Sequence, residues 1–335
     1  MVPESQEYQL KKVLVTGVAG FIASKVAELL LADGVEVIGI DNLNSYYDVR
    51  LKNWRLDQLK NTKGFTFQHL DIEDNKALAE LFDQHQFDVV FNLAARAGVR
   101  YSMENPHIYM TTNAMGSLNL LEQMKRTKVP KFILASTSSL YAGLPMPFNE
   151  ELAVNTPISP YAASKKAAEV MAYTYHYLYG IDVSIVRYFT VYGPASRPDM
   201  AIFRFIEWMT RGQAIRLFGD GAQSRDFTYV DDIARGTILS AKPLGYEVIN
   251  LGGGKNPISI SRVIHGIENE LGVQSGIEES AANKSDMKET WADISKAERL
   301  LSWKPAVHFD EGLRKTVQWH KDHRALLADV SCEVL

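Results

Sequence analysis

A tyrosine and a lysine near the middle of the chain have the types and spacing needed for proton transfer. Tyr161 and Lys165 lie four residues apart in the segment Ser159-Pro-Tyr-Ala-Ala-Ser-Lys, so in a helix both side chains project from one face. An ammonium group beside a phenol lowers the phenol pKa from its usual value of about 10. The pair could therefore act as a general base and acid, although an ordinary surface pair on an amphipathic helix has the same spacing.

The residues around this pair predict the helix that would position it. Ser159 is a favoured N-cap, Pro160 suits the first helical position, and Gly180 suits the stop. We therefore expect a helix over residues 160–179, with Tyr161 in its first turn.

A second group of residues near the start of the chain is typical of a phosphate-binding turn. Gly17 and Gly20 lie between an apolar run and a segment with helical spacing, where backbone N–H groups can hold a pyrophosphate. Ala23 replaces a usual glycine at a position that mainly serves helix packing. Asp41 ends the next apolar run, where a carboxylate can bind ribose hydroxyls and repel a 2′-phosphate, which favours NAD over NADP. A tight turn that binds no ligand is the alternative interpretation.

Strand and helix patterns alternate along the first two thirds of the chain. This alternation predicts an α/β fold with a doubly wound parallel sheet of Rossmann type, and Val/Ile-rich runs fit strands that are buried on both faces. The expected strands cover residues 13–17, 36–41, 65–72, 88–95, 131–137 and 182–188. Helices are expected over 75–84 and over 106–126, the latter with Met110, Ala114, Leu118 and Leu121 on one face.

The chain changes character after Gly193-Pro194, where the elements become shorter and Pro, Gly and charged residues more frequent. We expect a first domain over residues 10–188 that binds the dinucleotide, and a smaller α/β C-terminal substrate lobe that makes up most of 189–325. A strand near 247–252 is expected to return to the main sheet.

Composition excludes several classes of function. The 335 residues are 46% hydrophobic and 23% charged with a net charge of −4, which gives no reason to expect nucleic acid or an anionic membrane as a partner. The single cysteine, Cys332, fits a reducing compartment, and the polar start is unlike a signal peptide. We expect a cytoplasmic protein. No HExxH motif or Cys/His cluster suggests a metal site.

Thr137 ends the expected strand before the Tyr161 helix, where ligands bind in doubly wound sheets. With a glycine-rich turn, a Ser or Thr, and Y-x-x-x-K in this order, the chain resembles the extended short-chain dehydrogenase/reductase family from Lys11 to about Trp319. The resemblance implies that Tyr161 is the general base and acid, that Lys165 lowers its pKa and binds the nicotinamide ribose, and that Thr137 is the hydroxyl partner.

The predicted NAD contacts combine the glycine turn with the ends of three strands and the start of the Tyr161 helix. Asp71 and Ile72 suit an adenine contact, and Asp71 suits the cap of the following helix equally well. The predicted cofactor-binding residues are Gly17, Gly20, Phe21, Ile22, Asp41, Asn42, Asp71, Ile72, Leu93, Ala94, Ala95, Tyr161 and Lys165.

Within that family the chain resembles the nucleotide-sugar epimerases, and especially those acting on UDP-glucuronate. The stretches that carry this resemblance are residues 97–106, 187–201 and 218–232. It implies that Arg225 binds the diphosphate and that the backbone of Met200 to Phe203 lines the nucleobase pocket. Arg100 and Asp286 are the other predicted contacts on the nucleotide side, and Asn283 to Asp286 depart from the usual pattern.

Relatives that dehydrate or decarboxylate a sugar nucleotide place an acidic residue where this chain has Ser138 and Ser139. We expect Ser138, Ser139 and Thr190 to hold a sugar carboxylate by hydrogen bonding, with Arg197 supplying charge. The predicted reaction is NAD-dependent C4 epimerisation of a UDP-sugar, preferably UDP-glucuronate, through a 4-keto intermediate. The alternatives are epimerisation of UDP-glucose or UDP-N-acetylglucosamine, decarboxylation of UDP-glucuronate, and a non-catalytic NAD sensor.

The resemblance also implies a homodimer, because relatives pair through the two long helices. Other departures from the family pattern are Ala142 after Tyr141, where Gly is usual, and Arg96, where Gln is frequent.

Overall fold

Strands and helices alternate along the chain as the sequence predicts. The structure, a computed structural model, describes residues 9–254, 257–280 and 288–332. Its strands are β1 (Lys12–Thr16), β2 (Glu36–Asp41), β3 (Phe65–His69), β4 (Val89–Asn92), β5 (Lys131–Thr137), β6 (Asp182–Tyr188), β7 (Thr190–Tyr192), β8 (Ile215–Phe218), β9 (Ser224–Arg225), β10 (Phe227–Tyr229), β11 (Tyr246–Leu251), β12 (Ile258–Ser259), β13 (Ile277–Ser280) and β14 (Glu289–Thr290).

The helices lie mostly between these strands and supply the layers that cover the sheet. They are α1 (Phe21–Ala32), α2 (Val49–Lys60), α3 (Asn75–Gln84), α4 (Val99–Glu104), α5 (Pro106–Tyr109), α6 (Gly116–Thr127), α7 (Pro160–Tyr179), α8 (Ala201–Thr210), α9 (Val230–Leu239), α10 (Ile260–Leu271), α11 (Ser295–Leu301), α12 (Phe309–Asp322) and α13 (Arg324–Leu327).

The central sheet is parallel throughout, with the strand order β3-β2-β1-β4-β5-β6-β11. The order reverses between β1 and β4, and a ligand crevice forms at such a reversal, at the carboxyl ends of the strands. The predicted fold class, an α/β protein with a doubly wound sheet of Rossmann type, is confirmed.

Each face of the sheet has its own hydrophobic core. Residues of α1, α2 and α9, such as Val26, Leu56 and Ile233, pack on one face. Residues of α3, α6 and α7, such as Leu81 and Leu121, pack on the other. Burial on both faces is the reason that the strands consist of almost continuous apolar runs.

Helix α2 has no counterpart among the helices expected from the sequence. Its buried positions are Leu51, Lys52, Arg55, Leu56 and Leu59, which recur at helical spacing. Two of the five are cationic, so an apolar pattern does not reveal them. The Asp48 side chain caps the helix by accepting a hydrogen bond from the Arg50 N–H at 2.9 Å.

The expected helix over 106–126 contains a π-helical turn over residues 110–115 between α5 and α6. The prediction that Met110 shares a packing face with Leu121 is wrong, because Met110 is exposed and Leu121 is buried. The π turn has more residues per turn than an α-helix, so it rotates the following face. It brings Thr112 and Asn113 to the protein interior.

The last third of the chain contributes to both layers of the molecule. A separate core joins α8, α10 and α12 through residues such as Ile206, Ile264 and Val317. By contrast, β11 lies in the central sheet, and α9 and α11 pack with α1 and β11. The chain therefore crosses between the two parts more than once.

Two structural features are absent from the described ranges. No helix there is both long and apolar enough to cross a bilayer. No group of three or more His, Cys, Asp or Glu side chains is placed to hold a metal ion.

Candidate active site

The first turn of α7 and the end of β5 bring Tyr161, Lys165 and Thr137 together. Ser159 caps α7 by accepting a hydrogen bond from the Ala162 N–H at 3.2 Å. The Thr137 hydroxyl accepts from the Ser139 N–H at 3.1 Å and shares a hydrogen bond with the Tyr161 phenol. Lys165 Nζ donates to the Ala135 carbonyl at 2.9 Å. The three side chains thus meet at the carboxyl end of β5.

Burial dominates the charge states of this group. Burial raises the pKa of the Tyr161 phenol, while the Thr137 hydroxyl and the charge of Arg197 act to lower it. Burial also lowers the pKa of Lys165 to about 8, against the attraction of Glu169. In this structure Thr137 and Arg197 are therefore the groups that lower the Tyr161 pKa. The sequence suggested Lys165 for this role, but the Lys165 ammonium is directed at the Ala135 carbonyl.

A buried ion pair lies one helical turn beyond Lys165. The Glu169 carboxylate accepts two hydrogen bonds from Arg187, from Nε at 2.9 Å and from Nη2 at 2.8 Å. It also accepts one from the Ser136 hydroxyl at 2.6 Å. Because these residues belong to α7, β6 and β5, their contacts join β5 and α7, which carry the catalytic candidates, to the neighbouring strand β6.

The glycine turn between β1 and α1 has the shape of a phosphate cradle. Gly17 has a φ of +67°, and a Cβ there would lie 2.7 Å from the Ala94 Cα. A Cβ on Gly20 would lie 2.8 Å from the Gly17 carbonyl oxygen. Only glycine fits at both positions, so the turn is open to a ligand that approaches the backbone closely.

Asp41 at the end of β2 is held in a fixed orientation. Its carboxylate accepts hydrogen bonds from the Ala19 N–H at 3.1 Å and from the Leu43 N–H at 2.8 Å. A carboxylate has about four acceptor positions, so Asp41 keeps capacity for the two hydroxyls of a ribose.

The contacts of Asp71 distinguish its two predicted roles, an adenine contact and the cap of the following helix. Asp71 accepts from the Asn42 side chain at 2.6 Å and from the Glu73 N–H at 2.9 Å. The cap of α3 is Asp74, which accepts from the N–H groups of Lys76 and Ala77. Asp71 is therefore not the helix cap, and it faces the cavity described next.

A cavity of about 440 Å³ lies at the carboxyl ends of the strands. Every predicted cofactor-binding residue lines it, together with the candidates Thr137, Ser138, Ser139, Thr190, Arg197 and Met200. A second cavity of about 600 Å³ is lined by Arg100, Thr190, Met200 and Arg225 among others. Because Tyr46, Thr190 and Met200 border both, the two cavities form one cleft.

Arg197 has a partner inside the protein. Its guanidinium donates to both oxygens of Asp199, from Nε at 3.0 Å and from Nη2 at 2.5 Å. Its carbon atom Cζ lies 5.6 Å from the centre of the Tyr46 ring. Asp199 therefore balances much of the charge that Arg197 would offer to a sugar carboxylate.

One predicted substrate-binding residue is not in the cleft, and the position of another is not described. Phe203 lines neither cavity, because its side chain is fully buried and its ring centre lies 4.5 Å from that of His320. Asp286, with Asn283, lies outside the described residues.

Three residues that the sequence did not indicate also line the first cavity, namely Tyr46, Lys52 and Arg96. Tyr46 belongs to the loop between β2 and α2, and Lys52 belongs to α2, the helix missed above. Arg96 was noted only as a departure from the family pattern. The buried cationic positions at helical spacing in α2 were the available signal for Lys52.

A Rossmann-type sheet with a glycine-rich turn and a Thr–Tyr–Lys group at one crevice defines an extended short-chain dehydrogenase/reductase. Within this class, the family model described as GDP-mannose 4,6 dehydratase matches residues 14–316, and the chain belongs to that family.

The chain is also similar to proteins of known activity. It is 57% identical over 317 residues to a UDP-glucuronate 4-epimerase of Thermodesulfobacterium geofontis, covering 95% of this chain and 98% of the relative. The structure of a Bacillus cereus UDP-glucuronic acid 4-epimerase in complex with UDP-glucuronic acid and NAD is 39% identical, with a TM-score of 0.87, covering 93% of this chain and 99% of that one. A Thermotoga maritima UDP-glucose 4-epimerase with UDP-glucose is 32% identical, with a TM-score of 0.85, covering 93% and 99%.

Proposed function

We propose that this protein is an NAD-dependent UDP-glucuronate 4-epimerase, which interconverts UDP-glucuronate and UDP-galacturonate. The observation that carries the proposal is the Thr137–Tyr161–Lys165 group in the same cleft as the glycine turn and Asp41. The relative that is 57% identical over nearly its full length supports the choice of reaction.

The cleft fits NAD in its shape and its donors. The glycine turn leaves room at the backbone for a pyrophosphate, and Asp41 has acceptor capacity for the adenosine ribose. Asp71, Ile72, Leu93, Ala94 and Ala95 line the same cavity. Bound NAD accepts a hydride from the sugar C4 and returns it to the opposite face, so it is regenerated in each turnover.

The side chains of the cleft perform the proton transfer. Tyr161 as phenolate takes the proton of the sugar 4-hydroxyl and later returns it, while Thr137 shares a hydrogen bond with the reacting oxygen. Lys165 carries a positive charge near this phenolate and binds the nicotinamide ribose. The 4-keto sugar turns over about its diphosphate linkage between oxidation and reduction, with Arg100 and Arg225 as the diphosphate contacts.

The acidic substrate requires that the carboxylate be held during the reaction. A 4-keto uronate is a β-keto acid, which loses CO₂ readily when the scissile bond aligns with the carbonyl π system. Hydrogen bonds from Ser138, Ser139 and Thr190 at the rim of the first cavity would fix the carboxylate out of that alignment. Arg197, neutralised in part by Asp199, contributes a weaker field than a free arginine would.

The family model carries the name of a dehydratase, but the described residues of the first cavity provide no acidic group next to Thr137, which dehydration requires. A 4,6-dehydratase needs an acid at C5 and C6. Among the described residues that line the first cavity, the carboxylates are Asp41 and Asp71, both at the proposed adenosine end. The positions next to Thr137 are Ser138 and Ser139.

The proposal is tested by incubating the purified protein with UDP-glucuronate and following the products by NMR. We expect a mixture of UDP-glucuronate and UDP-galacturonate without release of CO₂. Release of CO₂ with formation of a UDP-pentose would instead establish a decarboxylase. Turnover of UDP-glucose or UDP-N-acetylglucosamine with no reaction of UDP-glucuronate would establish a neutral-sugar epimerase, and no turnover of any of them would favour an NAD sensor.

A homodimer and a cytoplasmic location complete the proposal. The outer stripe of α7 exposes Val170, Tyr173 and Tyr177, the last with 76% of its surface accessible. Met110 and Met115 are also exposed on the other long helical segment. Apolar side chains concentrated on two neighbouring helices support pairing through these helices. The location is supported by the low cysteine content alone.

A further inference from the structure

Two cationic side chains of the first cavity have no role in the mechanism above. Lys52 is buried, with 5% of its surface exposed, and its Nζ lies 3.9 Å from the Asp41 carboxylate. The Arg96 guanidinium donates from Nη1 to the Asn44 side chain at 3.0 Å. Its Nε is buried and is without a hydrogen-bond partner among the described residues.

Lys52 and Arg96 line the same cavity as the glycine turn, and neighbouring residues connect both of them to the turn. Arg55, one helical turn after Lys52 on α2, donates from Nη1 to the carbonyl of Ala19 at 2.9 Å, which joins this helix to the turn. Gly17 packs so closely on Ala94 that no side chain fits between them, and Arg96 follows two residues later. The turn, Lys52 and Arg96 therefore surround one part of the cavity.

The backbone that carries Arg96 is itself fixed. Asn113, in the π-helical turn, accepts from the Arg96 N–H at 2.8 Å and donates to the Arg96 carbonyl at 2.9 Å. Its amide also donates to the Ser164 hydroxyl at 2.9 Å, on the helix of Tyr161 and Lys165. Arg96 is thus held relative to both the glycine turn and the catalytic helix.

The charges that line the first cavity favour the binding of an anion. The cations are Lys52, Arg96, Lys165 and Arg197, and the carboxylates are Asp41 and Asp71. Arg197 is paired with Asp199, which leaves three lining cations against two carboxylates. A buried ammonium and a guanidinium on one wall are costly unless an anion binds between them.

We propose that Lys52 and Arg96 bind the pyrophosphate of the dinucleotide together with the glycine turn. The turn contributes neutral backbone N–H groups, whereas Lys52 and Arg96 contribute charge that compensates the two phosphates. A lysine gives a point charge, and an arginine gives directed donors such as the unpartnered Nε. This inference deepens the proposed function at its cofactor site and rests on that function for the identity of the ligand.

The experiment measures cofactor exchange in the holoenzyme. The protein is loaded with radiolabelled NAD, and the dissociation rate is followed after addition of unlabelled NAD. We expect Arg96→Gln and Lys52→Gln each to accelerate dissociation by about 10- to 100-fold, as for the loss of a charge-assisted contact. Arg96→Lys should recover part of the loss, and Lys60→Gln, an exposed position on the same helix, should leave the rate unchanged.

Competition with fragments separates a charge contact from a loop-positioning role. ADP-ribose, which contains the pyrophosphate, should displace labelled NAD less effectively from Arg96→Gln, and rising salt should weaken ADP-ribose binding less than in the wild type. Adenosine, which lacks the pyrophosphate, should compete equally well with both proteins. Equal weakening of ADP-ribose and adenosine would show that Arg96 only positions the loop, and unchanged ADP-ribose binding would also overturn the inference.

Failure of this inference can be told apart from failure of the proposed function. Wild-type protein that retains no NAD contradicts both. Wild-type protein that retains NAD, with variants that retain it equally well, contradicts the pyrophosphate contact alone. Urea unfolding of each variant shows whether it is folded, and Lys52→Gln keeps the test available if Arg96→Gln does not fold.

Discussion

Burial, more than pairing, determines how the residues of the cleft titrate. The pKa of Lys165 and that of Lys52 are both lowered to about 8, in each case mainly by burial. The pKa of Tyr161 is raised for the same reason. Without a ligand, the Tyr161 phenol therefore resists ionisation, and the Lys165 and Lys52 amines lose their charge readily. A charged ligand in the cleft shifts the pKa of these groups.

Replacing Tyr161 with phenylalanine removes the proposed proton-transfer group and keeps the ring. We expect kcat to fall by about 10²- to 10⁴-fold, the usual loss for general acid–base catalysis. NAD retention should change little, because the other predicted contacts remain. Steady-state assays with UDP-glucuronate check this, with Tyr177→Phe on the same helix as the control. Turnover within about tenfold of the wild type would contradict the mechanism.

The charge of Lys52 makes cofactor binding depend on pH. Its pKa is lowered to about 8, mainly by burial, with Asp41 raising it and Arg96, Arg55 and Arg197 lowering it. An anion prefers the charged amine, so affinity for ADP-ribose should be constant below pH 8 and should fall as the pH rises above it. Titrations from about pH 7 to about pH 9.5 measure this effect. Lys52→Gln should bind ADP-ribose more weakly at pH 7, and its affinity should depend less on pH. If the affinity of Lys52→Gln falls with pH as steeply as that of the wild type, Lys52 is not the source of the pH dependence.

At the scale of single elements, local sequence signals were reliable where the structure depends on local contacts. Helix α7 begins at Pro160 and ends before Gly180, because the Ser159 cap and the left-handed Gly180 satisfy its ends. The π turn over residues 110–115 depends instead on contacts made by Asn113 with a distant loop and with α7. Local signals in the sequence therefore predict α7 correctly, but the periodicity of apolar residues misassigns the buried face of the 106–126 segment.

Two glycines with the same backbone conformation test the role of the glycine turn. Gly17 and Gly180 both have a φ of +67°, but a Cβ at Gly180 meets nothing within 4 Å. Gly180→Ala should lower the free energy of unfolding by about 1 kcal/mol, because alanine disfavours the left-handed backbone. Gly17→Ala should cost more, because its Cβ would clash with Ala94, and it should also lose NAD.

Urea unfolding and the NAD content of the purified variants measure these two effects. Equal stability losses with full NAD content in both variants would show that the close approach at Gly17 is unimportant.

At the scale of the whole molecule, a fourth hydrophobic cluster joins the two ends of the chain. Tyr47 and Leu51 pack with Phe203, Trp319 and Leu327 of the later segments. Arg211, directly after α8, donates to the carbonyls of Leu327 and Val330 at 3.0 and 3.1 Å. The C-terminal segment therefore connects α8 to α2, the helix that carries Lys52.

The proposed dimer predicts a change in mass when the outer stripe of α7 is made acidic. The double substitution Tyr173→Asp and Tyr177→Asp should place charges in the contact and give a monomer. Light scattering after size-exclusion chromatography measures the mass, with Lys60→Glu on the exposed part of α2 as the control. A variant that keeps the wild-type mass, or a monomeric wild-type protein, would contradict pairing through this stripe.

The sequence by itself determined the fold class and the positions of the main strands along the chain, and its resemblance to a known family indicated Thr137, Tyr161 and Lys165. It could do so because these features depend on short-range signals, namely apolar runs, caps, glycine turns and fixed spacings. The same signals indicated Gly17, Gly20 and Asp41, which all line one cavity in the structure.

Only the tertiary structure decided which partner each charged side chain has. In the folded protein Asp199 forms an ion pair with Arg197, and Phe203 lies in a hydrophobic cluster. Lys52 and Arg96 line the same cavity as the glycine turn. Arg197 and Asp199 are two residues apart in one loop, whereas the contacts of Phe203, Lys52 and Arg96 join separate elements. The strength of all these contacts depends on burial, which a linear pattern of residue types does not specify. For that reason the sequence predicted where the chemistry takes place, and the three-dimensional packing decided which charges are available for it.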